Sequence, residues 1–557
     1  VWRTSFESWN LRERLTFALL GALVLFCDSC TSGGGGSSGT SASASCSLTN
    51  STLGSTGIQV YPGPGGGAYQ SSLYTVSVYD GSAWQSSYTY TYNRTAKTAW
   101  HRNANPSVNF TTFAATTSAQ VKVGLITGNV TSLAVYPSRY NITPIISAGV
   151  ATFNLSQNQK VWLVVNYDDS NPLFVFADPP KPNLPTSCNL KYFGPGVTTI
   201  NQYQAVSNQV FYLDGGAVVR GNINVAGTTG VQIVGPGILS GDLWTAETVQ
   251  SYTFSQETQY AMISGDLNTN DNAKVSGITI LDAPFYHFWG GASTVTGVKE
   301  LSPWYWSTDG FEGVPTVSNV FAFVGDNAFF PSQAGTAGQN YTVTNSFAAT
   351  TNNAIFNGGF WGRPASASFS YSATMDTIDI ISFTDGRASI TGTHTPAIFQ
   401  IWVDNSTNNS SVGNYGNSSN GSTFGYANQT YKNIVVEDYY TTSSSHASMY
   451  SNMGELINIC YPWTTSTCST SGPNYPLGNS YNFTFQNINV KGAISYTPDA
   501  GITTGTKSLI QGLNSGNVFS NINWTNLQMN GVLVNTTNAN VNTYFNINAF
   551  VNSYNFN

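Results

Sequence analysis

The chain is poor in charge: Asp, Glu, Lys and Arg make up 8% of its 557 residues. With 19 Lys plus Arg, no basic cluster and a net charge of −7, it lacks the cations a nucleic-acid binder needs to neutralise phosphates. Histidine is scarcer still. None of His101, His287, His394 and His446 stands at ligand spacing from a cysteine or another histidine, so no metal or other cofactor is expected. Helix-forming stretches rich in Glu, Lys, Leu and Ala are missing beyond the N-terminal region. No apolar run is long enough for a confident membrane span.

The composition that remains is rich in Gly, Ser, Thr and Asn, with Val, Ile and aromatics at the apolar positions. Such a mixture favours strands and turns, so the fold is expected to be all-β. The 31 Tyr, 31 Phe and 13 Trp serve mostly as core residues, but they also offer ring faces to a neutral sugar.

Arg12 and Arg14 precede an apolar run from Leu15 to Cys27, and a Gly/Ser-rich stretch follows from Ser32 to Ser45. Residues 1–45 therefore resemble a signal peptide and spacer, which makes the expected product secreted or cell-surface associated. An anchor with lipid on Cys27 or Cys30 is the alternative. Sixteen Asn-X-Ser/Thr sequons, among them Asn93, Asn141, Asn340, Asn428, Asn482 and Asn523, fit an extracellular glycoprotein carrying N-linked glycans. Of the cysteines beyond the leader, Cys460 with Cys468 would close a short loop, and Cys46 with Cys188 would tie the ends of an N-terminal domain.

From about Thr56 to Pro179 the sequence alternates at period two, as in Tyr74–Tyr79, Ser107–Phe113, Gln120–Val123 and Val161–Val165, with breaks roughly every ten residues. This predicts an antiparallel β-sandwich over residues 46–185, ended by the proline-rich Asp178–Pro182. Beyond it a phrase recurs: an aromatic or Val, a polar residue, Asn or Gly, Ile or Val, a polar residue, then an aromatic or Ile. Examples are Val275–Ile280, Val317–Phe323, Tyr431–Val436 and Phe519–Trp524. Recurrence at roughly 20 to 45 residues predicts a solenoid, with a parallel β-helix over 186–557 preferred to a propeller, whose Trp-Asp blade endings are absent.

Within that region Asp309 in Ser307-Thr308-Asp309-Gly310-Phe311-Glu312 and Asp326 in Val324-Gly325-Asp326-Asn327-Ala328 lie less than one typical coil apart. Adjacent rungs would bring the two carboxyls onto one face. Inverting hydrolysis of a glycosidic bond uses such a pair, one acid and one water-activating base about 6.5–9.5 Å apart. Asp-Gly and Asp-Asn also fit ordinary turns. Trp304, Trp306, Trp361 and Arg363 are candidate subsite residues, and Glu312 a candidate partner for sugar hydroxyls. His287 reads as structural.

The order of these motifs, preceded by Gly235–Gly241, Val275–Ile280 and Tyr212–Gly221 and followed by Asn352–Ile355, resembles glycoside hydrolase family 49, the dextranases and isopullulanases. The resemblance implies a β-sandwich joined to a right-handed parallel β-helix, with an α-glucan polysaccharide as substrate. It also implies that Asp326 is the general acid and Asp309 the base. The family's third aspartate is Asn327 here, which can orient water but cannot take its proton. Polygalacturonases share the architecture, but their Gly-His-Gly and Arg-Ile-Lys motifs are missing, and the comparable place reads Asn357-Gly358-Gly359. A pectin hydrolase and a non-catalytic carbohydrate-binding or cell-surface protein on the same frame are the alternatives. The protein is expected to be monomeric.

Overall fold

A computed structural model describes residues 47–557 apart from short gaps and the longer stretches 95–106, 331–339, 359–368, 383–396, 405–423, 438–454, 469–479 and 492–506. The leader and Cys46 lie outside the described residues, as do Trp306, Trp361 and Arg363 and the side chains of Cys460 and Cys468. Cys188 is disulfide-bonded. Among the described residues no helix is long and apolar enough to cross a membrane.

The N-terminal strands form two facing sheets. One orders Ile58–Val60, Ser107–Ala115, Asp168–Asp178, Lys160–Val165 and Leu133–Tyr136, with Tyr90–Asn93 also on Ser107–Ala115. The other orders Trp84–Ser87, Tyr74–Tyr79, Ser118–Leu125, Val150–Ser156 and Ile145–Ser147. Pairing is antiparallel except between Asp168–Asp178 and Ser107–Ala115, which run parallel. The connection between these two strands is long, carrying Ser118–Leu125, Ile145–Ser147 and Val150–Ser156 of the second sheet and Leu133–Tyr136 and Lys160–Val165 of the first, the kind of crossover a parallel pair requires.

The sheets differ in how they are buried, and sequence alternation explains the difference. In the outer sheet, Tyr74–Tyr79 alternates buried and more exposed residues. In the inner sheet, every residue of Ser107–Ala115 and Lys160–Val165 is buried. Val161, Leu163, Val175 and Phe113 fill the space between the sheets, while Trp162, Phe174, Phe176 and Phe110 point the other way, into a second core shared with the C-terminal domain.

That domain is a parallel β-helix beginning at Asn189–Phe193. One face stacks Thr279–Leu281, Lys299–Ser302 and Phe321–Val324 in parallel register. A second stacks Ala292–Thr296 on Thr316–Ser318. A third stacks Ile263–Ser264, Phe288–Trp289, Phe311–Glu312, Phe329–Phe330 and Phe356–Asn357. Inside, Phe288, Phe311 and Phe329 stack ring on ring, at 5.3 and 5.8 Å.

The Asn or Gly of the recurring phrase is a corner. Gly277, Gly297, Asn319, Asn345, Asn433, Asn487 and Asn526 all have φ between 49° and 75°, a left-handed conformation that only Gly, Asn and Asp enter routinely. Asparagine adds a second service, since its amide can pair along the axis. Asn526 Nδ2 donates to Asn487 Oδ1 at 3.1 Å, Asn487 to Asn433 at 2.9 Å, and Asn433 to Asp376 at 2.8 Å. A parallel ladder joins Asn521 to Asn482 and Asn482 to Asn428, so the side chains of the sequon residues Asn428 and Asn482 are engaged there.

The helix meets the sandwich through rings: Trp162 lies 4.6 Å from Phe323, and Phe174 and Phe176 lie 5.0 and 5.1 Å from Phe321. Ion pairs accompany them. Lys299 Nζ, completely buried, stands 2.6 Å from Asp178, Arg94 stands 2.6 Å from Asp282, and Arg139 stands 2.7 Å from Asp379. Replacing Trp162 by Ala is expected to destabilise the protein by about 3–5 kcal/mol. Urea unfolding followed by sandwich and helix probes checks this, and the two should fall in one shared transition.

Candidate active site

Each coil leaves the sandwich-facing strand through a loop before entering the Phe-lined strand, and two successive loops carry the aspartates. The first runs from Pro303 to Gly310, the second from Gly325 to Ala328. Their motif residues are demanded by close packing. Thr308 Oγ1 donates to Tyr305 O at 2.6 Å and accepts from Gly325 N at 3.0 Å. A Cβ on Gly325 would sit 1.6 Å from Tyr305 O, and one on Gly310 would sit 2.5 Å from Ala328 O. Thr308, Gly310 and Gly325 thus lock the loops together, and Ser307, held at φ 55°, turns its N–H onto Asp326 Oδ2 at 2.9 Å.

The geometry that follows is a bridge. Asn327 Nδ2 donates to Asp309 Oδ1 at 2.7 Å and to Asp326 Oδ1 at 3.0 Å. One amide nitrogen therefore gathers an oxygen of each carboxyl. Asp326 is 9% exposed and Asp309 3%, so Asp326 is the one nearer the surface. Burial, then the charge of Asp326, pushes the Asp309 carboxyl well above the usual carboxylate range, against the opposing hydrogen bonds from Asn327.

Beneath Asp309 lies His287, fully buried, with Nδ1 2.9 Å from Asp309 O and Nε2 2.9 Å from Ser302 Oγ. Burial pulls its pKa down to about 4, so it is a neutral strut holding the Asp309 backbone, in keeping with a structural residue.

Two sequence expectations change. Trp304 is not on a sugar-facing wall: it is 2% exposed and packs edge-on against Tyr92 at 5.6 Å in the sandwich–helix core. The Tyr92 side of the junction needs a large apolar partner, and Trp304 supplies it. Glu312 is 0% exposed, so it is sealed from sugar hydroxyls, and neither carboxyl oxygen has a hydrogen-bond partner. Sequence reasoning also missed Glu300, equally buried and equally without partners. Its Oε2 would lie 2.7 Å from a Cβ on Gly310, directly behind the loop of Asp309. The available signal was a Lys-Glu pair inside an apolar strand: Lys299 turns to Asp178 and leaves Glu300 facing the coil interior.

Burial, followed by the charge of Asp309, raises both Glu300 and Glu312 well above the usual range. Unpartnered carboxyls in a dry interior are tolerated as neutral acids. The sign of the linkage is fixed by that direction: the folded protein holds protons that the unfolded chain releases above about pH 4. Stability contributed by these sites is therefore present at acidic pH and lost as pH rises toward the raised folded-state values. Thermal unfolding at stepped pH should show Glu300→Gln with a flatter decline than the unsubstituted protein.

No family model matches the chain. A curated relative, a dextranase from Arthrobacter globiformis, is 27% identical over 164 residues, which cover 25% of this chain and 26% of that protein. The chain thus aligns with only about a quarter of that relative's length. Among solved structures, Dex49A from Penicillium minioluteum superposes with a TM-score of 0.62 at 18% identity, covering 91% of this chain and 100% of that one. The motif resemblance to glycoside hydrolase family 49 is accordingly joined by local sequence similarity to a dextranase and by the fold of Dex49A.

Proposed function

We propose that the protein is a secreted glycoside hydrolase that cleaves α-glucosidic linkages in a dextran- or pullulan-like polysaccharide, with Asp309 and Asp326 carrying the chemistry. The observation that carries the reading is the Asn327 amide gathering both carboxyls at 2.7 and 3.0 Å. Similarity to a protein named as a dextranase supports the substrate class.

Asp326 is assigned as proton donor to the glycosidic oxygen because it is the carboxyl nearer the surface, and Asp309 as the base that takes a proton from water. Asn327 holds both in place and keeps their charges from meeting directly. Inversion follows from attack by that water on the face opposite the leaving group. A second reading exchanges the roles, because burial and the charge of Asp326 strengthen the hold of Asp309 on a proton.

Incubation with dextran and pullulan between about pH 4 and 7, with the product anomer read by NMR, tests the reaction. Absence of new reducing ends sinks the hydrolase reading for these glucans. Asp309→Asn and Asp326→Asn should each lower kcat by about 10²–10⁴-fold. An aryl glycoside, whose leaving group needs no protonation, should restore turnover only to the variant that lost the acid. Recovery in Asp309→Asn instead of Asp326→Asn would exchange the assigned roles.

A further inference from the structure

The aromatic residues beside the aspartates in sequence are core residues, yet the coils that precede them in the stack carry rings toward solvent. The register of the Phe-lined face shows which. Phe288, Phe311 and Phe329 are paired on successive coils, so Tyr286, Asp309 and Asn327, each two residues earlier, occupy equivalent positions. The backbone repeats this alignment: Met262 N donates to Tyr286 O, His287 N to Asp309 O, and Gly310 N to Asn327 O. Tyr286 therefore stands one rung from Asp309, on the side away from Asn327. It is half-buried, and it stacks on Trp289 with centroids 5.0 Å apart and ring planes 16° apart.

One coil further toward the N-terminus the loop is longer. It leaves Ile238–Ser240 and returns at Ile263–Ser264, and it contains a short helix, Ala246–Val249, capped by Thr245. Tyr260 meets Trp244 at 5.4 Å and Tyr252 at 5.7 Å. Tyr252 is 40% exposed, and Trp244 and Tyr260 are half-buried. This group is fixed rather than floating. Arg94 Nη2 donates to Trp244 O at 3.1 Å, and Gln250 Nε2 donates to Pro284 O on the next coil at 3.3 Å. Asn222 Nδ2 holds Gln259 O at 2.6 Å.

Rungs of a parallel stack are about 4.8 Å apart, so rings on two successive coils form a track along the helix axis, ending at the carboxyls. Flat rings held rigidly, with Trp244, Tyr252, Tyr260 and Tyr286 at least partly exposed, fit the apolar faces of hexose rings. We infer that Trp244, Tyr252, Tyr260 and Tyr286, the last backed by the buried Trp289, form an extended binding track for an α-glucan chain on the N-terminal side of the aspartates, with the polysaccharide lying along the helix axis. The inference rests on the proposed glucan substrate and adds the direction of the chain and the residues that grip it. Tyr286, with Trp289 stacked behind it, holds the unit next to the reacting bond, while Trp244, Tyr252 and Tyr260 hold units farther out.

The test is binding of isomalto-oligosaccharides and pullulan-derived oligosaccharides of graded length to the full chain carrying Asp326→Asn, followed by calorimetry. Trp244→Ala and Tyr252→Ala should each weaken binding of long oligosaccharides by about 2- to 10-fold and leave disaccharide affinity within about twofold. Trp244→Phe, which keeps a ring, should retain most of the affinity and guards against a folding defect. Trp84→Ala, on the sandwich, should change neither. Equal losses for short and long ligands, or no loss with either variant, overturn the track. If long oligosaccharides bind with this length dependence while the unsubstituted protein releases no reducing ends, the track stands and the hydrolase reading fails. If no oligosaccharide of either series binds, the track falls together with the glucan assignment.

Discussion

Everything in the C-terminal domain depends on coils staying in axial register. The backbone N–H and C=O groups of each rung pair with the rungs above and below, and this is possible only if the chain turns the same corner at each level. Residues held at φ near 50° to 75° make that corner: Gly at Gly277 and Gly297, then Asn at Asn319, Asn345, Asn433, Asn487 and Asn526, with Thr377 taking the position between Asn345 and Asn433. The replacement of Gly by Asn along the axis has a physical sense. A glycine corner is bare, whereas an asparagine corner links to its neighbour, as Asn526, Asn487 and Asn433 do. Register then does the positioning at the site, where Asp309 and Asn327 face the same way because Phe311 and Phe329 are paired one above the other.

Into that rigid frame the protein sets an arrangement that would be unstable if fully ionised. Glu300, Asp309, Glu312 and Asp326 crowd one region, and none is more than 9% exposed. An amide at Asn327 is well suited to such a place. It donates to two carboxyls at once without adding a further negative charge, and its own oxygen is left without a hydrogen-bond partner. Asparagine here acts as a spacer and an orienting group for its neighbours, and the proton economy of the site is left to the buried acids around it.

The fold was largely legible because it is written as repetition. Alternation exposes the sandwich strands, and recurrence of the Val/aromatic–Asn/Gly–Ile phrase exposes the stacked coils, while the role of its Asn or Gly as a corner shows only in the backbone angles. The aspartate loops were legible for the same reason, since their separation is less than a coil. What escaped was the direction of individual side chains. Trp304 and Glu312 sit in sequence beside Asp309, but loop residues follow no fixed period, and nearness along the chain says nothing about which way a ring points. Glu300 escaped for another reason: a charged residue in a strand reads as solvent-facing, and only the three-dimensional stack shows that Lys299 took the outward position toward Asp178. Tyr286 stood beside His287 in the sequence, and only coil register connects it to the aspartates.

The inner sheet of the sandwich is buried on both faces, by its sister sheet and by the helix. Trp162, Phe174 and Phe176 on one side, and Phe321, Phe323 and Phe347 on the other, have no aqueous state in which they are content. Neither domain is therefore a portable module. Cutting the chain in the linker would leave two aromatic faces in water, each a template for self-association, so a shortened, soluble catalytic fragment would require redesigning that ridge. Evolution faces the same restriction: the sandwich has to be inherited together with the coils on which it rests.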